Sequence, residues 1–216
     1  MRTTRTLVAF AAVIGLLAAS GASQAQDWIV KAGAVYYQTH SETTGIQGVG
    51  IPPGADAETG NAWTALFVIE RTLTPNVSVE LVLGIPPTIE AKATGSVAFL
   101  GDKVLSAKNV SPTFMVDYYF GEPTSKWRPY VGVGINYTRF TDIETTLPVQ
   151  SVEMSDSWGW AVKAGIRYEI DKQWGLFGSV AREDVKSDLV AVGSTVLTTT
   201  IDFKPVTYSF GAWYRF

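Results

Sequence analysis

Apolar and polar residues alternate with a period of two through most of the chain after residue 26, which is typical of β-strands rather than helices. In one segment Trp158 and Trp160 fall on one face. Lys163 and Arg167 fall on the opposite face of the same segment. Eight segments have strand character, with approximate bounds Asp27–Gln38, Ala62–Thr72, Val77–Ile85, Ser106–Phe120, Arg128–Phe140, Asp156–Ile170, Trp174–Lys186 and Thr199–Phe216.

The connections between these segments alternate between short and long. Residues 73–76, 121–126 and 171–173 are short and rich in turn formers, whereas 39–61, 86–105, 141–155 and 187–198 are long and polar. This asymmetry is typical of an outer-membrane barrel whose short turns lie in the periplasm. A charged residue facing lipid would cost about 2–4 kcal/mol at mid-bilayer, so we expect the apolar faces to point outward. The pattern predicts an all-β fold, an eight-stranded antiparallel transmembrane β-barrel in the cell outer membrane.

The last strand ends on an aromatic residue and places four aromatic side chains on one face. These are Tyr208, Phe210, Tyr214 and Phe216. We expect them to face outer-membrane lipid and lipopolysaccharide, and to form the assembly signal that the insertion machinery reads.

The N-terminus has the pattern of a secretory signal peptide. Arg2 and Arg5 precede an apolar run from Leu7 to Ala19, and small residues at Ser23 and Ala25 suit a signal peptidase. The sequence therefore predicts a signal peptide at residues 1–25 and a barrel over residues 26–216. The apolar run is shorter than the roughly 20 residues of a spanning helix.

Composition narrows the possible functions. Without Arg2 and Arg5, the 17 basic residues fall to 15 against 20 acidic ones, a net charge of about −5. This mildly acidic chain has no basic stripe, so we expect no nucleic-acid partner. The chain contains no Cys, which excludes disulfides and thiolate metal sites.

Several charged residues are predicted to face the lumen near the periplasmic end. The set that we call the ionic plug is Lys31, Glu70, Glu80, Asp117, Lys163, Arg167, Glu169 and Arg215, and Glu183 is a further inward carboxylate. Buried charges persist only when paired, so we expect these groups to pair with one another, Arg167 with Glu80, Asp117 or Glu169. The ionic plug either merely fills the barrel or forms the floor of an apolar ligand chamber, and the sequence leaves both open.

Three prolines lie near the opposite end of two neighbouring strands. Pro86 and Pro87 follow the third strand, and Pro112 interrupts the fourth at a similar height. A proline has no N–H for the strand ladder. The barrel wall is therefore a candidate for lateral opening here, unless Pro86 and Pro87 simply end a strand where a loop begins.

Catalytic chemistry is not indicated, and we predict no enzyme activity, no cofactor and no metal site. His40 is the single histidine, and a triad with its neighbours Ser41 and Glu42 would lack the required geometry. Gly132-Val133-Gly134 has no helix after it and does not indicate a dinucleotide site. We expect its glycines to relieve crowding opposite Tyr or Trp in the lumen.

Several motifs together resemble the OmpW family of outer-membrane proteins. They are Ser111-Pro112-Thr113, Asp117-Tyr118-Tyr119-Phe120-Gly121, residues 126–138, Asp156-Ser157-Trp158-Gly159, Ala164-Gly165-Ile166-Arg167-Tyr168 and the closing residues 211–216. The resemblance covers essentially the whole chain after the signal peptide. It implies an eight-stranded barrel with a narrow, largely apolar lumen that takes up small hydrophobic molecules. At residues 84–88 and at Ser111-Pro112 the chain departs from the family pattern, which leaves the ligand open.

Two functions follow as alternatives. In the first, small hydrophobic molecules pass through a narrow lumen and leave sideways into lipid. In the second, the lumen is fully plugged and the barrel is a structural protein or a receptor whose long loops bind partners. An eight-stranded barrel has an interior just wide enough for side chains to fill, so a water-filled porin is disfavoured.

Overall fold

The computed structural model describes residues 28–216, which form fifteen strands and one short 3-10 turn at Ala98–Leu100. The first seven strands are β1 (Trp28–Gln38), β2 (Glu42–Thr43), β3 (Ala55–Thr59), β4 (Ala62–Thr74), β5 (Val77–Gly84), β6 (Thr88–Gly95) and β7 (Leu105–Val110). The others are β8 (Thr113–Tyr119), β9 (Trp127–Thr145), β10 (Ser151–Met154), β11 (Ser157–Glu169), β12 (Trp174–Glu183), β13 (Lys186–Val192), β14 (Val196–Asp202) and β15 (Val206–Arg215). The predicted signal peptide lies outside the described residues.

Eight of these strands close into a barrel in the order β1, β4, β5, β8, β9, β11, β12 and β15. Each is antiparallel to both neighbours, and β15 returns to pair with β1 along ten residue pairs. The β9–β11 pairing completes the ring. The predicted eight-stranded antiparallel barrel is confirmed.

Side chains of the wall alternate as predicted between an apolar outer face and an enclosed inner face. On β11 the outward Trp158 is 72% exposed and inward Arg167 is 3% exposed. The same contrast holds on β15, where Phe210 is exposed and Trp213 is buried. The barrel therefore has an apolar outer surface and a polar interior, as expected for a wall that is surrounded by lipid.

Aromatic side chains form two bands around this outer face. Near the short turns Trp127 contacts Tyr168, and Trp174 contacts Tyr214, with ring centroids 4.4 and 4.6 Å apart. Near the long connections Tyr137 contacts Trp158 at 4.8 Å. Tyr168 and Trp158 lie ten residues apart on β11, which is the length of strand that crosses a bilayer. The bands therefore mark the two membrane interfaces.

The connections predicted to be long polar loops are in large part strands, so that prediction is wrong in its detail. β3 pairs with β6, β6 with β7 and β7 with the end of β9, which extends the barrel wall outward. β10, β13, β14 and β2 form a second sheet. In β6 every second residue from Ile89 to Ala93 is buried and the others are exposed. These strands lie beyond the aromatic bands, where an outward side chain meets water. Their sequences therefore contain polar residues, as the sequences of loops do.

Two apolar clusters stabilise this extension. One contains Phe140 and Phe203, whose rings stack at 5.2 Å, together with Val185 and Ile201. The second contains Ala55, Ala93, Val97 and Val104.

Two predicted strands are divided. Ser111 and Pro112 separate β7 from β8 within the predicted segment 106–120, because proline cannot donate to the ladder. The predicted segment 199–216 is broken between Asp202 and Val206, where Lys204 has a φ of 38°. Within residues 28–216, no helix is long and apolar enough to cross a membrane.

Candidate functional site

All eight residues of the predicted ionic plug lie inside the barrel and form one connected chain of ion pairs. Its order is Arg215, Glu169, Arg167, Glu70, Lys31, Glu80, Lys163 and Asp117. The N–O distance is 2.8 Å for Lys31–Glu70 and for Lys163–Asp117, and 3.2 Å for Arg167–Glu70. Cations and carboxylates alternate along the chain, so each interior carboxylate contacts two cations and each interior cation contacts two carboxylates.

Strand register explains why the central groups meet. Glu70 of β4 and Glu80 of β5 are direct cross-strand partners, an arrangement of like charges that is unfavourable by itself. Lys31 projects from the neighbouring β1 and binds both carboxylates, and its side chain is 2% exposed. Lys31 is therefore the group that lets two carboxylates occupy adjacent positions in the lumen.

A glycine leaves the space in which the last ion pair of the plug, Lys163–Asp117, forms. Asp117 pairs in register with Gly132, and Gly132 with Lys163 on the next strand. A Cβ at Gly132 would overlap the Asp117 carboxylate and lie 3.3 Å from Cε of Lys163. Gly132 thus gives room for a charged pair across the intervening strand, and the prediction that it faces Tyr or Trp is wrong. Gly165 and Gly175, which lie against Tyr130 and Trp213, have that role.

Aromatic rings surround the ionic plug. The Tyr119 hydroxyl lies 3.2 Å from both carboxylate oxygens of Glu70, and the Arg167 guanidinium lies 4.3 Å from the centre of the Tyr119 ring. Lys31 lies over the rings of Tyr130 and Phe177. The rings exclude water from the charges, which strengthens their attraction and makes an unpaired charge costly. The alternation along β8 places Tyr119 inward, but its contact with Glu70 depends on the tertiary structure.

Three of the expected pairings need correction: Arg167 with Glu80, Arg167 with Asp117, and Glu183 with any cation of the ionic plug. Of the carboxylates proposed for Arg167, only Glu169 is within ion-pair distance, at 3.9 Å, and the nearer partner is Glu70. Glu183 is not connected to the ionic plug, because it lies at the far end of β12. Arg128, which sequence analysis missed, is buried beside Arg167 and donates to the Pro75 carbonyl at 2.8 Å.

A cavity of about 60 Å³ lies in the lumen above the ionic plug. Lys31, Glu80 and Lys163 form its floor. Its walls are mainly apolar and include Val35, Leu66, Val68, Met115 and Phe177, while Thr113 and Glu183 lie towards the extracellular end. We call this half of the barrel interior the upper lumen. The cavity has room for a few water molecules.

A polar cluster forms one wall of the upper lumen. The Asn136 amide donates to Ser111 and Thr113 at 2.8 and 2.7 Å, and Thr138 donates to the Asn136 carbonyl oxygen at 2.7 Å. The cluster lies where Pro112 interrupts β7 and β8, beside the backbone bond from Tyr137 N–H to Pro112 C=O at 3.1 Å.

The three predicted prolines lie on facing segments of the wall. Ladder pairs of β5 with β8 end at Val82–Thr113, and those of β6 with β7 start at Thr88–Lys108. We call residues 83–87 and 109–112 the ladder gap, and within the described residues the backbone bond that joins its two sides is Asn109 N–H to Pro87 C=O, at 3.0 Å. Pro86 and Pro87 therefore lie between two strands, not at the start of a loop.

The remaining predicted residues are on the surface. Tyr208, Phe210 and Phe216 are exposed on the outer wall, and the rings of Tyr214 and Phe216 are 5.0 Å apart. His40 is exposed at the end of β1. The part of the chain that the structure describes has no cluster of three or more His, Cys, Asp or Glu side chains suited to a metal ion.

A closed antiparallel barrel with lipid-facing aromatic bands and a charged, water-excluding interior is an eight-stranded outer-membrane β-barrel protein. The sequence profile of the OmpW family matches residues 24–216, and the chain belongs to this family. Outer membrane protein W of Escherichia coli (strain K12) is 32% identical over 218 residues, which cover 97% of this chain and 98% of that protein. The protein is accordingly an outer-membrane protein.

Solved structures show the same fold. The crystal structure of the outer membrane protein OprG from Pseudomonas aeruginosa has a TM-score of 0.83 at 24% identity, covering 89% of this chain and 97% of OprG. The solid-state NMR structure of outer membrane protein AlkL has a TM-score of 0.69 at 27% identity, covering 91% of this chain and 93% of that one. AlkL of Ectopseudomonas oleovorans is 29% identical over 170 residues, 78% of this chain and 73% of AlkL.

Proposed function

We propose that this protein lets small hydrophobic molecules cross the outer membrane passively, through the upper lumen and then sideways into lipid. The supporting observation is the position of the cavity. The ionic plug closes it below, and its lining reaches Leu83, Gly84 and Ser111 at the ladder gap. The expectation from the OmpW resemblance, uptake of small hydrophobic molecules, agrees with this arrangement.

The two possible exits differ in the interactions that must be broken. Downward passage would separate buried ion pairs, and breaking one such pair costs on the order of 3–5 kcal/mol. Sideways passage meets the ladder gap, where one backbone bond joins the facing segments and each such bond contributes about 1 kcal/mol. An apolar solute that leaves sideways also reaches lipid without crossing water, which favours it by roughly 25 cal/mol per Å² of apolar surface.

The size of the cavity indicates where the wall must move. At about 60 Å³ it is smaller than a cavity of about 150 Å³ that holds benzene, so an aromatic solute needs local widening. A second break in the strand pairing, between residues 183–185 and 203–205, is joined by two backbone bonds, Glu183 N–H to Pro205 C=O and Phe203 N–H to Val185 C=O, at 3.2 and 2.9 Å. The ladder gap is therefore the place where widening costs least.

The outer face supplies the other partners of the proposed function. The aromatic bands contact lipid and lipopolysaccharide, and Tyr208, Phe210, Tyr214 and Phe216 on the last strand are the signal for the insertion machinery. These side chains stand on the strand that closes the barrel against β1.

A disulfide across the top of the ladder gap tests the lateral route. Thr88 and Lys108 are register partners, both are exposed, and the chain has no native Cys. Thr88→Cys with Lys108→Cys should lose uptake of naphthalene under oxidising conditions and regain it on reduction. Uptake is measured in cells that lack other hydrophobic-solute channels.

A second disulfide serves as a matched control. Glu58 and Lys92 are register partners on β3 and β6, away from the ladder gap. Their cysteine pair should leave uptake unchanged in both redox states. Equal uptake by the oxidised and reduced Thr88–Lys108 variant would eliminate the lateral route.

A receptor or structural role is the second candidate, and the extracellular tips favour it. Val49 and Phe99 are each 81% exposed at the ends of the connections β2–β3 and β6–β7. A concavity of about 440 Å³ lies beside Val49 and is lined by residues 44–48 and 51–56. If cells with and without the protein take up naphthalene equally, this second candidate is preferred.

A further inference from the structure

Glu183 is a carboxylate inside the barrel to which residues 28–216 supply no ionic partner. It follows Ala181 on the inner face of β12 and lines the cavity of the upper lumen. Among residues 28–216 every other inward carboxylate named above contacts a cation, whereas no ion pair includes Glu183. Its side chain is only partly exposed, and the cavity lining places that exposure on the lumen side.

Within the described residues, the Glu183 carboxylate receives a single hydrogen bond, which is long and comes from a shared donor. Thr113 Oγ1 lies 3.3 Å from Glu183 Oε1 and 3.5 Å from the Ser111 carbonyl, and the hydroxyl has a single proton to donate. The same hydroxyl already accepts the Asn136 amide at 2.7 Å. The Glu183 carboxylate therefore has one donor at most and several unfilled acceptor positions.

Apolar side chains line much of the rest of the cavity, beside two tyrosines and several serines and threonines. Val35, Leu66 and Phe177 line the space between Glu183 and the ionic plug, and each is at most 7% exposed. A carboxylate at one end of an apolar space matches a molecule with a short hydrocarbon chain and one donor group at its end. Such a ligand would fill the acceptor positions of Glu183 and displace water from the apolar wall.

We infer that Glu183 makes the upper lumen a binding site for small apolar molecules with a terminal amine or hydroxyl, in preference to molecules without a hydrogen-bond donor. This inference rests on the proposed passage of hydrophobic molecules and names the preferred subset among them. Glu183 accepts the hydrogen bond of the donor group, and the apolar wall contacts the chain. A protonated amine gains more than a hydroxyl, because its hydrogen bond is charge-assisted.

Three probes of equal length separate the contributions: propylamine, 1-propanol and 1-chloropropane, which has no donor. Binding is measured on the barrel in lipid nanodiscs from the methyl NMR shifts of Val35, Leu66 and Val82, which line the cavity. Propylamine should bind about tenfold more tightly than 1-chloropropane, with 1-propanol between them. Empty nanodiscs correct for partition of each probe into lipid.

Two variants and one control make the test specific. Glu183→Leu should remove the preference for both donors, and Glu183→Gln should retain binding of 1-propanol but lose the advantage of propylamine. Glu153→Gln changes an exposed carboxylate on β10 and should match the wild type. Gel mobility before and after boiling shows that each barrel is folded, and if Glu183→Leu does not fold, Glu183→Gln decides.

Equal affinity of the wild type for all three probes would overturn the inference, as would an unchanged amine preference in Glu183→Gln. The inference would also be overturned if none of the three probes bound. Naphthalene uptake distinguishes this failure from that of the proposed function. If the cells take up naphthalene but the barrel binds all three probes equally, the proposed function stands and the role of Glu183 is wrong. If the barrel prefers the donor probes but the cells take up no naphthalene, the binding site stands and the proposed function is wrong.

Discussion

Replacing Lys31 by methionine should destabilise the barrel strongly, because Lys31 neutralises two carboxylates at once. Methionine has nearly the length of the lysine hydrocarbon part, so the change removes mainly the ammonium group, which also lies over the Tyr130 and Phe177 rings. What is lost is the charge that binds Glu70 and Glu80, whose side chains are each 1% exposed.

The structure sets the size of the effect. Without Lys31, Glu70 keeps Arg167 and the Tyr119 hydroxyl, but Glu80 must share Lys163 with Asp117. About one negative charge is then uncompensated in a water-excluding site, a change that costs about 3–5 kcal/mol. With a urea m-value of about 2–3 kcal/mol/M, the unfolding midpoint should fall by about 1–2.5 M.

Urea unfolding in lipid vesicles, followed by tryptophan fluorescence and by gel mobility, measures this midpoint. Adding Glu80→Gln to Lys31→Met removes the excess charge and should restore more than half of the lost stability. Lys92→Met is the surface control, because the Lys92–Glu58 pair is half-exposed and should contribute less than about 1 kcal/mol. A midpoint of Lys31→Met within 0.2 M of wild type, or no recovery in the double variant, would refute the account of a buried and balanced ionic plug.

Three further predictions follow from other parts of the chain. Arg167→Leu should lower the urea midpoint by about as much as Lys31→Met. Adding Glu70→Gln should partly restore the midpoint, because Glu70 is the nearer partner of Arg167. Restoration by Asp117→Asn instead would contradict the observed pairing. Deleting Phe216 should reduce the heat-modifiable barrel recovered from outer membranes, whereas Phe99→Ala at an exposed tip should not, and equal recovery of both would remove the assembly role. The Lys204 ammonium lowers the pKa of Glu42 from 4.5, so their contact outside the membrane should persist as pH falls past 4.5 and be lost only in more acidic solution. In Lys204→Met the carboxyl resonance of Glu42 should titrate at higher pH than in the wild type, and identical titration curves would show that the pair does not form in solution.

The period-two alternation was sufficient to identify the membrane-spanning strands. It failed for β3, β6, β10 and β13, which lie beyond the aromatic bands and expose polar residues such as Lys92, Glu153 and Asp188. An outward polar residue looks the same in a strand above the membrane as in a loop. Lipid excludes charged side chains, which makes the alternation of apolar and polar residues strong between the aromatic bands. Beyond the bands this constraint no longer applies.

The members of the ionic plug could be predicted for a similar reason. A charged side chain is costly on the lipid face and most costly at mid-bilayer, so the alternation along each strand was enough to assign all eight to the lumen. Their partners could not be assigned, because the stagger between strands decides which side chains share a height in the lumen. Arg167 therefore pairs with Glu70 across the barrel, and its predicted contacts with Glu80 and Asp117 do not form.

The sequence by itself determined the membrane-spanning strands, their lipid-facing sides and the eight members of the ionic plug, since each of these depends on whether a single side chain faces lipid or the lumen. Only the tertiary structure decided that Lys31 lies between two carboxylates, that Gly132 admits a charged pair and that Glu183 finds no ionic partner among residues 28–216. It also decided that the prolines lie on facing segments of one gap. These features depend on closure of the sheet, which brings together residues from strands that are distant in sequence.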